Sequence, residues 1–238
     1  MSYANGPRIV TDGLILCLDA ANTKSYPGSG TAWNDLSGSS YNGTLYNSPA
    51  FSSANKGIIN FDGTDDHCPL DTTTSSEIRN ISTPYTLMAW IRPHTQHTGA
   101  IVGAYSCSGT TMGIYFRVYS NSGNLRAQAF YTTSTGGFGA REHYTTVATD
   151  TWHQLSVVVT GTTSAAYMKL YVNNIPSSNY SIGAIMALNT VGWRIGRANC
   201  GGDYFNGEIG RVSMYNRDFS ASEIKHNYDA LKGRYGLS

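Results

Sequence analysis

Asp62, Asp65 and Asp66 crowd one short segment that also contains Gly63 and Thr64. Carboxylates so close together, with turn carbonyls beside them, are the hard oxygen donors that Ca²⁺ takes, although the spacing is not that of an EF-hand. The same residues also suit an Asx turn, in which Asp side chains accept backbone amides of their own loop. A second chemistry is stacking on sugar rings by exposed aromatic side chains, with Asn, Asp and backbone groups binding hydroxyls. Tyr105, Tyr131, Phe138, Tyr144 and Tyr204 are the candidates, and Phe138 tips the loop 132–139, Thr-Thr-Ser-Thr-Gly-Gly-Phe-Gly. Packing under loops or at subunit contacts is the competing use of such rings. Trp90, Trp152 and Trp193 sit in strand patterns and are expected in the core.

Residues for bond cleavage are sparse. Glutamate occurs only at Glu77, Glu142, Glu208 and Glu223, with no Glu-x-Asp-x-x-Glu cluster on one strand. A glycan-cleaving enzyme, the alternative in another class, needs two carboxyls about 5–9.5 Å apart. No Gly-x-Ser-x-Gly elbow is present. His153 is expected at a polar strand edge, and His94 and His97 in a surface loop without a carboxylate partner. Binding or structure, without catalysis, is the expectation.

Short β-branched or aromatic runs bounded by Gly, Asn, Ser and Thr recur from end to end and predict strands. They fall at Leu14–Asp19, Ile58–Phe61, Tyr85–Arg92, Gly99–Tyr105, Met112–Tyr119, Leu125–Tyr131, Trp152–Thr160, Ala166–Val172, Trp193–Ile195 and Gly207–Tyr215. Leu155–Val159 is nearly continuously apolar, as a central strand requires, whereas Met168–Val172 alternates. Asn173-Asn174 tolerates positive φ and predicts a tight hairpin. One helix is predicted over Ala221–Lys232. Ser220 and Glu223 form a capping box, Phe219 and Ile224 a hydrophobic staple, and Gly233 the stop. The fold class is all-β, a two-sheet antiparallel jelly roll with one C-terminal helix. Residues 1–12 are expected as an arm and 13–238 as a single domain.

Composition narrows the function further. Only 13% of residues are charged and the formal net charge is +1, against about a quarter charged in an ordinary domain. With 40% hydrophobic and 12% aromatic residues the chain is not disordered. No basic stripe offers nucleic acid a footprint, and no apolar run of about 18 residues could span a bilayer. The start, Met1 to Pro7, has neither charge nor an apolar run, so no signal peptide is expected. Cys17, Cys68, Cys107 and Cys200 are widely spaced, without C-x-x-C. They are expected mostly as free thiols, Cys17 as a small core residue. Sequons at Asn42, Asn80 and Asn179 are expected by chance in a chain this rich in Asn, Ser and Thr.

Taken in order, several segments resemble the laminin G-like family of the concanavalin A-like lectin/glucanase superfamily. They are Gly13–Ala20, Trp33–Gly38, Tyr41–Leu45, Ile59–Asp66, Tyr85–Pro93, Trp152–Leu155, Leu170–Asn173, Phe205–Val212 and Tyr215–Ser220. The resemblance departs at Asn174, where the family usually has Gly, and at Gly210, where it favours an acidic residue. Related domains often hold Ca²⁺ at loop ends, which the resemblance extends to Asp62, Asp65 and Asp66. Thr11–Leu14 through Asn22–Gly30 also looks like virion structural proteins of tailed phages, cyanophages especially. That likeness implies a capsid-decorating or fibre protein made in the host cytoplasm. Its expected partners are further copies of itself, other virion proteins and surface glycans, with a free lectin as the alternative.

Overall fold

A computed structural model describes residues 8–73, 76–79, 83–104, 114–131, 141–162, 164–183, 192–198 and 202–238. In chain order the strands are β1 (Leu14–Asp19), β2 (Ala32–Trp33), β3 (Gly43–Thr44), β4 (Ala50–Ser52), β5 (Ile58–Asp62) and β6 (Cys68–Pro69). Then come β7 (Tyr85–Pro93), β8 (Gly99–Ala104), β9 (Ile114–Asn121), β10 (Asn124–Tyr131), β11 (Arg141–Thr146) and β12 (His153–Gly161). The last are β13 (Ala166–Val172), β14 (Ile175–Pro176), β15 (Tyr180–Gly183), β16 (Arg194–Ile195) and β17 (Asn206–Tyr215), followed by helix α1 (Ala221–Leu231).

Two antiparallel sheets face each other. The larger runs β14-β13-β12-β7-β17-β5-β4, with β15 beside β13. One edge of β17 is shared: Asn206–Ile209 pair with β5, and Arg211–Tyr215 pair with β1. The smaller runs β11-β10-β9-β8-β16-β6. The core between them takes Leu155, Val157 and Val159 of β12, Leu87, Ala89 and Ile91 of β7, and Phe116, Val118, Leu125 and Ala127 of the opposing sheet. Trp193 is fully buried there and its Nε1 donates to Ile78 O at 2.8 Å.

The continuous apolar run of β12 has its cause in a second covered face. Val158 joins Met88, Tyr171, Tyr215, Phe219 and Ile224 under the helix, outside the larger sheet. Trp90, Trp152, Tyr228 and Tyr235 form the neighbouring cluster on that face. The expected tryptophan burial therefore holds, in two different layers. His153 is corrected: β12 lies between β7 and β13, so the side chain is 6% exposed and Nε2 meets Ala148 O at 3.1 Å. Burial lowers its pKa.

Both two-residue hairpins use left-handed backbone, as type I′ turns must. Ser122-Gly123 have φ of 50° and 78°, and Asn173-Asn174 49° and 62°. β11 was not foreseen, because its polar sequence, Arg-Glu-His-Tyr-Thr-Thr, lacks the apolar alternation on which strand prediction rests. Of the two- and three-residue strands, β16 falls within the predicted Trp193–Ile195, whereas β2, β3, β4, β6 and β14 were too short to read.

Helix α1 starts as predicted. Ser220 Oγ accepts from Glu223 N, and Glu223 Oε2 accepts from Ser220 N at 2.9 Å. Its stop is corrected: after Leu231 the chain tightens into a 3₁₀ turn over Lys232–Tyr235, and Gly236, at φ 73°, supplies the left-handed residue. Residues 8–12 lie along the helix. Val10 N donates to Asn227 Oδ1 at 2.8 Å, and Tyr215 Oη donates to Val10 O at 3.1 Å. Arg217 Nη2 lies 2.6 Å from Glu223 Oε1, and this bond, with the Ser220 amide, holds the Glu223 carboxyl down at about 2. A carboxyl pKa lowered on folding stabilises above its unfolded value and loses that stability as pH falls through the folded one. Glu223→Gln is therefore expected to cost about 1–2 kcal/mol at pH 7. The gap from the unmodified chain should close between pH 4.5 and 2, as followed by urea unfolding across that range.

The last residues are clasped to the first strand. Asp19 Oδ2 lies 3.0 Å from Arg211 Nη1, and Asp19 Oδ1 lies 2.6 Å from Arg234 Nη1. Arg234 also donates to Asn55 O at 2.8 Å and Gly57 O at 2.7 Å. Tyr235 stacks on Trp90 with ring centroids 4.2 Å apart and tilts against Trp152 at 4.5 Å. Cys17 and Cys68 are free and buried, as expected, and burial raises both thiol pKa values. Cys107 and Cys200 lie outside the described residues.

Candidate functional site

Tyr204 and the Asp62–Asp66 turn, predicted separately, are brought to one surface by His67. Two isolated bridges outside the main strands do this. Tyr46 pairs with His67, and Arg197 pairs with Tyr204. The Tyr46 and His67 rings stack at 5.3 Å with planes 13° apart, and the His67 ring meets Tyr204 edge-on at 6.5 Å. The Arg197 guanidinium caps the row, 5.0 Å from the Tyr204 centroid. Tyr46 is 49% exposed, high for so large a ring. Tyr46 lays one ring face on His67 and is half exposed, which leaves its other face for stacking on a flat, weakly polar partner.

The segment that holds Tyr46 is under backbone constraint. Asn47 and Ser48 have φ of 67° and 76°. Such conformations cost about 1 kcal/mol or more each in non-glycine residues and persist where surrounding contacts fix them. Here Asn47 Nδ2 donates to Asp65 O at 2.9 Å, which ties the loop to the acidic turn. On its other side Tyr46 borders an open groove of about 640 Å³, walled also by Tyr26, Leu45, Pro49 and Phe51. Tyr26 is held by its hydroxyl, which donates to Gly30 O at 2.9 Å, and by Phe51 at 5.3 Å.

In the acidic turn, Asp62 Oδ1 accepts from Thr64 N at 2.8 Å and from Asp65 N at 3.3 Å. This is the Asx turn the sequence admitted, and these amides lower the Asp62 pKa. One ligand atom from each of Asp62, Asp65 and Asp66 lies within 4.8 Å of the others. Asp66 is 4% exposed, and its Oδ2 accepts from Asp62 N at 3.0 Å. Burial pushes its carboxyl up to about 6. Asp62 O and Asp65 O are already accepting from Asn206 and Asn47. A cation here would therefore be held by carboxylates and water, a donor set that fits a hard divalent ion, and its charge would relieve the burial of Asp66.

Tyr105 and Phe138, with the whole loop 132–139, lie outside the described residues. Tyr131 ends β10. Tyr144 is corrected from a loop to strand β11, with its backbone opposite Gln128. His94 is also corrected: its Nδ1 lies 3.0 Å from Asp150 Oδ1, so it does have a carboxylate partner. Reading the sequence missed Tyr46, His67 and Arg197. His67 could have been found as the neighbour of Asp66, and Tyr46 as an aromatic set among turn formers, Asn47-Ser48-Pro49.

Two packed antiparallel sheets, a helix on the outer face of one and an aromatic row at loop level define a lectin-like sandwich. Residues 62–225 match a laminin G domain model described as concanavalin A-like lectin/glucanases superfamily, and the chain belongs to that family. Among curated proteins none matches the sequence. Solved structures with the same fold include a botulinum neurotoxin type C, whose cell entry depends on two ganglioside molecules. That match has TM-score 0.70 and 12% identity, covering 93% of this chain and 52% of the other. The binding domain of botulinum neurotoxin DC in complex with rat synaptotagmin II is similar at TM-score 0.67 and 10% identity, with the same coverage. The type G receptor-binding domain follows at 0.64 and 13%, covering 91% and 51%. The chain spans about half the length of these solved chains.

Proposed function

We propose that the chain is a non-enzymatic glycan-recognising module whose binding surface is the Tyr46–His67–Tyr204 row with its adjoining groove. The observation that carries this is the stacked, half-exposed Tyr46 on His67, held open by a constrained loop. Membership of the lectin-like family supports it. Tyr46→Ala is expected to weaken oligosaccharide binding by roughly 10–100-fold, since ring stacking contributes about 0.5–1.5 kcal/mol beyond area burial and the exposed face adds apolar contact. Calorimetric titration with glycans selected on an array, alongside thermal unfolding of the variant, checks this. Undiminished binding would sink the assignment.

Cleavage is the reading weighed against it. Asp62 and Asp66 do have pKa values pushed apart, as an acid–base pair requires. Yet Asp66 is buried, its Oδ2 accepts from the Asp62 amide, and neither carboxyl lines the groove.

Calcium at Asp62, Asp65 and Asp66 belongs to the same proposal, as a strut beneath the aromatic row. A carboxyl whose pKa is raised on folding stabilises below its unfolded value and costs stability as pH rises through the folded one. In EDTA at pH 7.5, Asp66→Asn should thus stabilise the fold by roughly 2 kcal/mol. The variant should also lose any rise in melting temperature on adding Ca²⁺. A metal-independent melting temperature in the unmodified chain would remove calcium from the proposal.

The virion setting rests on the resemblance of Thr11–Gly30 to phage structural proteins. In that setting the module would be built in the host cytoplasm, assemble with copies of itself and with virion proteins, and present the aromatic row outward. Its mass in solution tests the oligomer.

A further inference from the structure

We infer that the ligand is an acidic glycan, one carrying a carboxylate or sulfate group, and that Arg194 and Arg197 receive that group. The inference rests on the glycan reading above and names its substrate class. Arg197 holds its guanidinium over the Tyr204 ring, at the end of the aromatic row. Its Nε is buried and, among the described residues, has no hydrogen-bond partner. Arg194, the first residue of β16, stands opposite Pro69, two residues from His67, and three residues before Arg197; burial, and then the Arg197 charge, lower its pKa. Neither arginine makes an ion pair among the described residues, whereas Arg92, Arg117, Arg211, Arg217 and Arg234 all do.

In a chain with so few charges, two neighbouring guanidiniums without a carboxylate are costly. They repel each other, and both are partly withdrawn from water. The nearest acidic side chain in sequence, Asp203, is turned to Arg117 at 3.2 Å. The Asp62–Asp66 turn meets the row at His67, whose Nδ1 is 2.8 Å from Asp65 O, and among the described residues none of its carboxylates pairs with either arginine. A guanidinium fork accepts a planar carboxylate or a sulfate through two parallel N–H bonds. A glycan stacked on the exposed side of Tyr46 and running past His67 would bring an acidic substituent to that fork beside Tyr204.

The test is an array in which each oligosaccharide is printed with its acidic counterpart. The pairs are galactose and galacturonate tetramers, lactose without and with sialic acid, and chondroitin without and with sulfate. At least one acidic member is expected to bind roughly tenfold tighter than its neutral partner, the worth of one charge-assisted bond. The preference should shrink at high salt. Arg194→Gln and Arg197→Gln should each bring the ratio of acidic to neutral binding down to about one while leaving the thermal midpoint in place, and Arg197→Lys should retain part of the preference. Equal binding of both members overturns the inference and leaves the glycan reading standing. A preference that survives both Gln variants overturns the assignment to these arginines. No binding to any pair by the folded protein overturns both readings.

Discussion

Asp19→Ala is expected to lower the unfolding free energy by about 3–5 kcal/mol, the usual cost of stripping one partner from a buried ion pair. Asp19 and Arg211 are each 8% exposed, and Arg234 comes from the far end of the chain to share the same carboxylate. The substitution removes the one anion that both guanidiniums meet. Arg211 retains only Ser213 Oγ and Cys17 Sγ, each at 3.1 Å. Neither group can neutralise it, because burial raises the Cys17 thiol pKa and keeps it protonated. The loss should therefore exceed what the deleted side-chain contacts account for. A second Arg211→Met substitution should restore part of it by removing one orphaned charge. Urea unfolding of the three proteins measures both quantities. A single-variant loss below about 1 kcal/mol would show that water reaches the triad and that the clasp is a surface feature.

Gly210→Ala carries the second large effect. The β17 ladder shifts register between Ile209 and Arg211, so the two neighbours of Gly210 serve opposite faces of the sheet. A Cβ on Gly210 would come within 2.3 Å of Tyr235 Oη and 2.8 Å of its ring. A free tyrosine could swing aside, but this ring is wedged between Trp90 and Trp152. Overpacking at such a site costs about 1–3 kcal/mol, and the acidic residue favoured elsewhere in the family would add a desolvated charge. The expectation is thus a loss of about 3 kcal/mol for Gly210→Ala, falling below about 1 kcal/mol when Tyr235→Ala has already vacated the seat. Additive losses in the double variant would mean that Tyr235 is not what excludes a side chain at 210.

The departure at Gly210 illustrates what could and could not be read in advance. The residue was legible as unusual, but its cause lies 25 positions away in Tyr235, and no local pattern connects the two. Most of the long strands, the Asn173-Asn174 hairpin and the capping box were legible because their determinants are local: apolar periodicity, positive-φ residues and a cap three residues from its partner. Gly233 was a sound stop by the same local logic, but Tyr235 docks on Trp90, and its packing carries the chain one further turn. The acidic turn was legible as a cluster. The aromatic row was not, since Tyr46, His67 and Tyr204 are joined only by two isolated bridges that depend on the completed sandwich.

The pairing of β1 with β17, Leu14 opposite Tyr215, also has a consequence for how the chain is made. At about 5–20 residues per second, a ribosome needs roughly 10–40 s to travel from one strand to the other. Throughout that interval the apolar segment Leu14–Leu18 has no edge to join, and β5 and β7 likewise wait for the strand that lies between them. Folding from such distant pairings is slow, and an unsatisfied strand is a template for association between nascent chains. Chains truncated before residue 206 should accordingly accumulate as insoluble material, while the last thirty-odd residues convert the whole assembly at once.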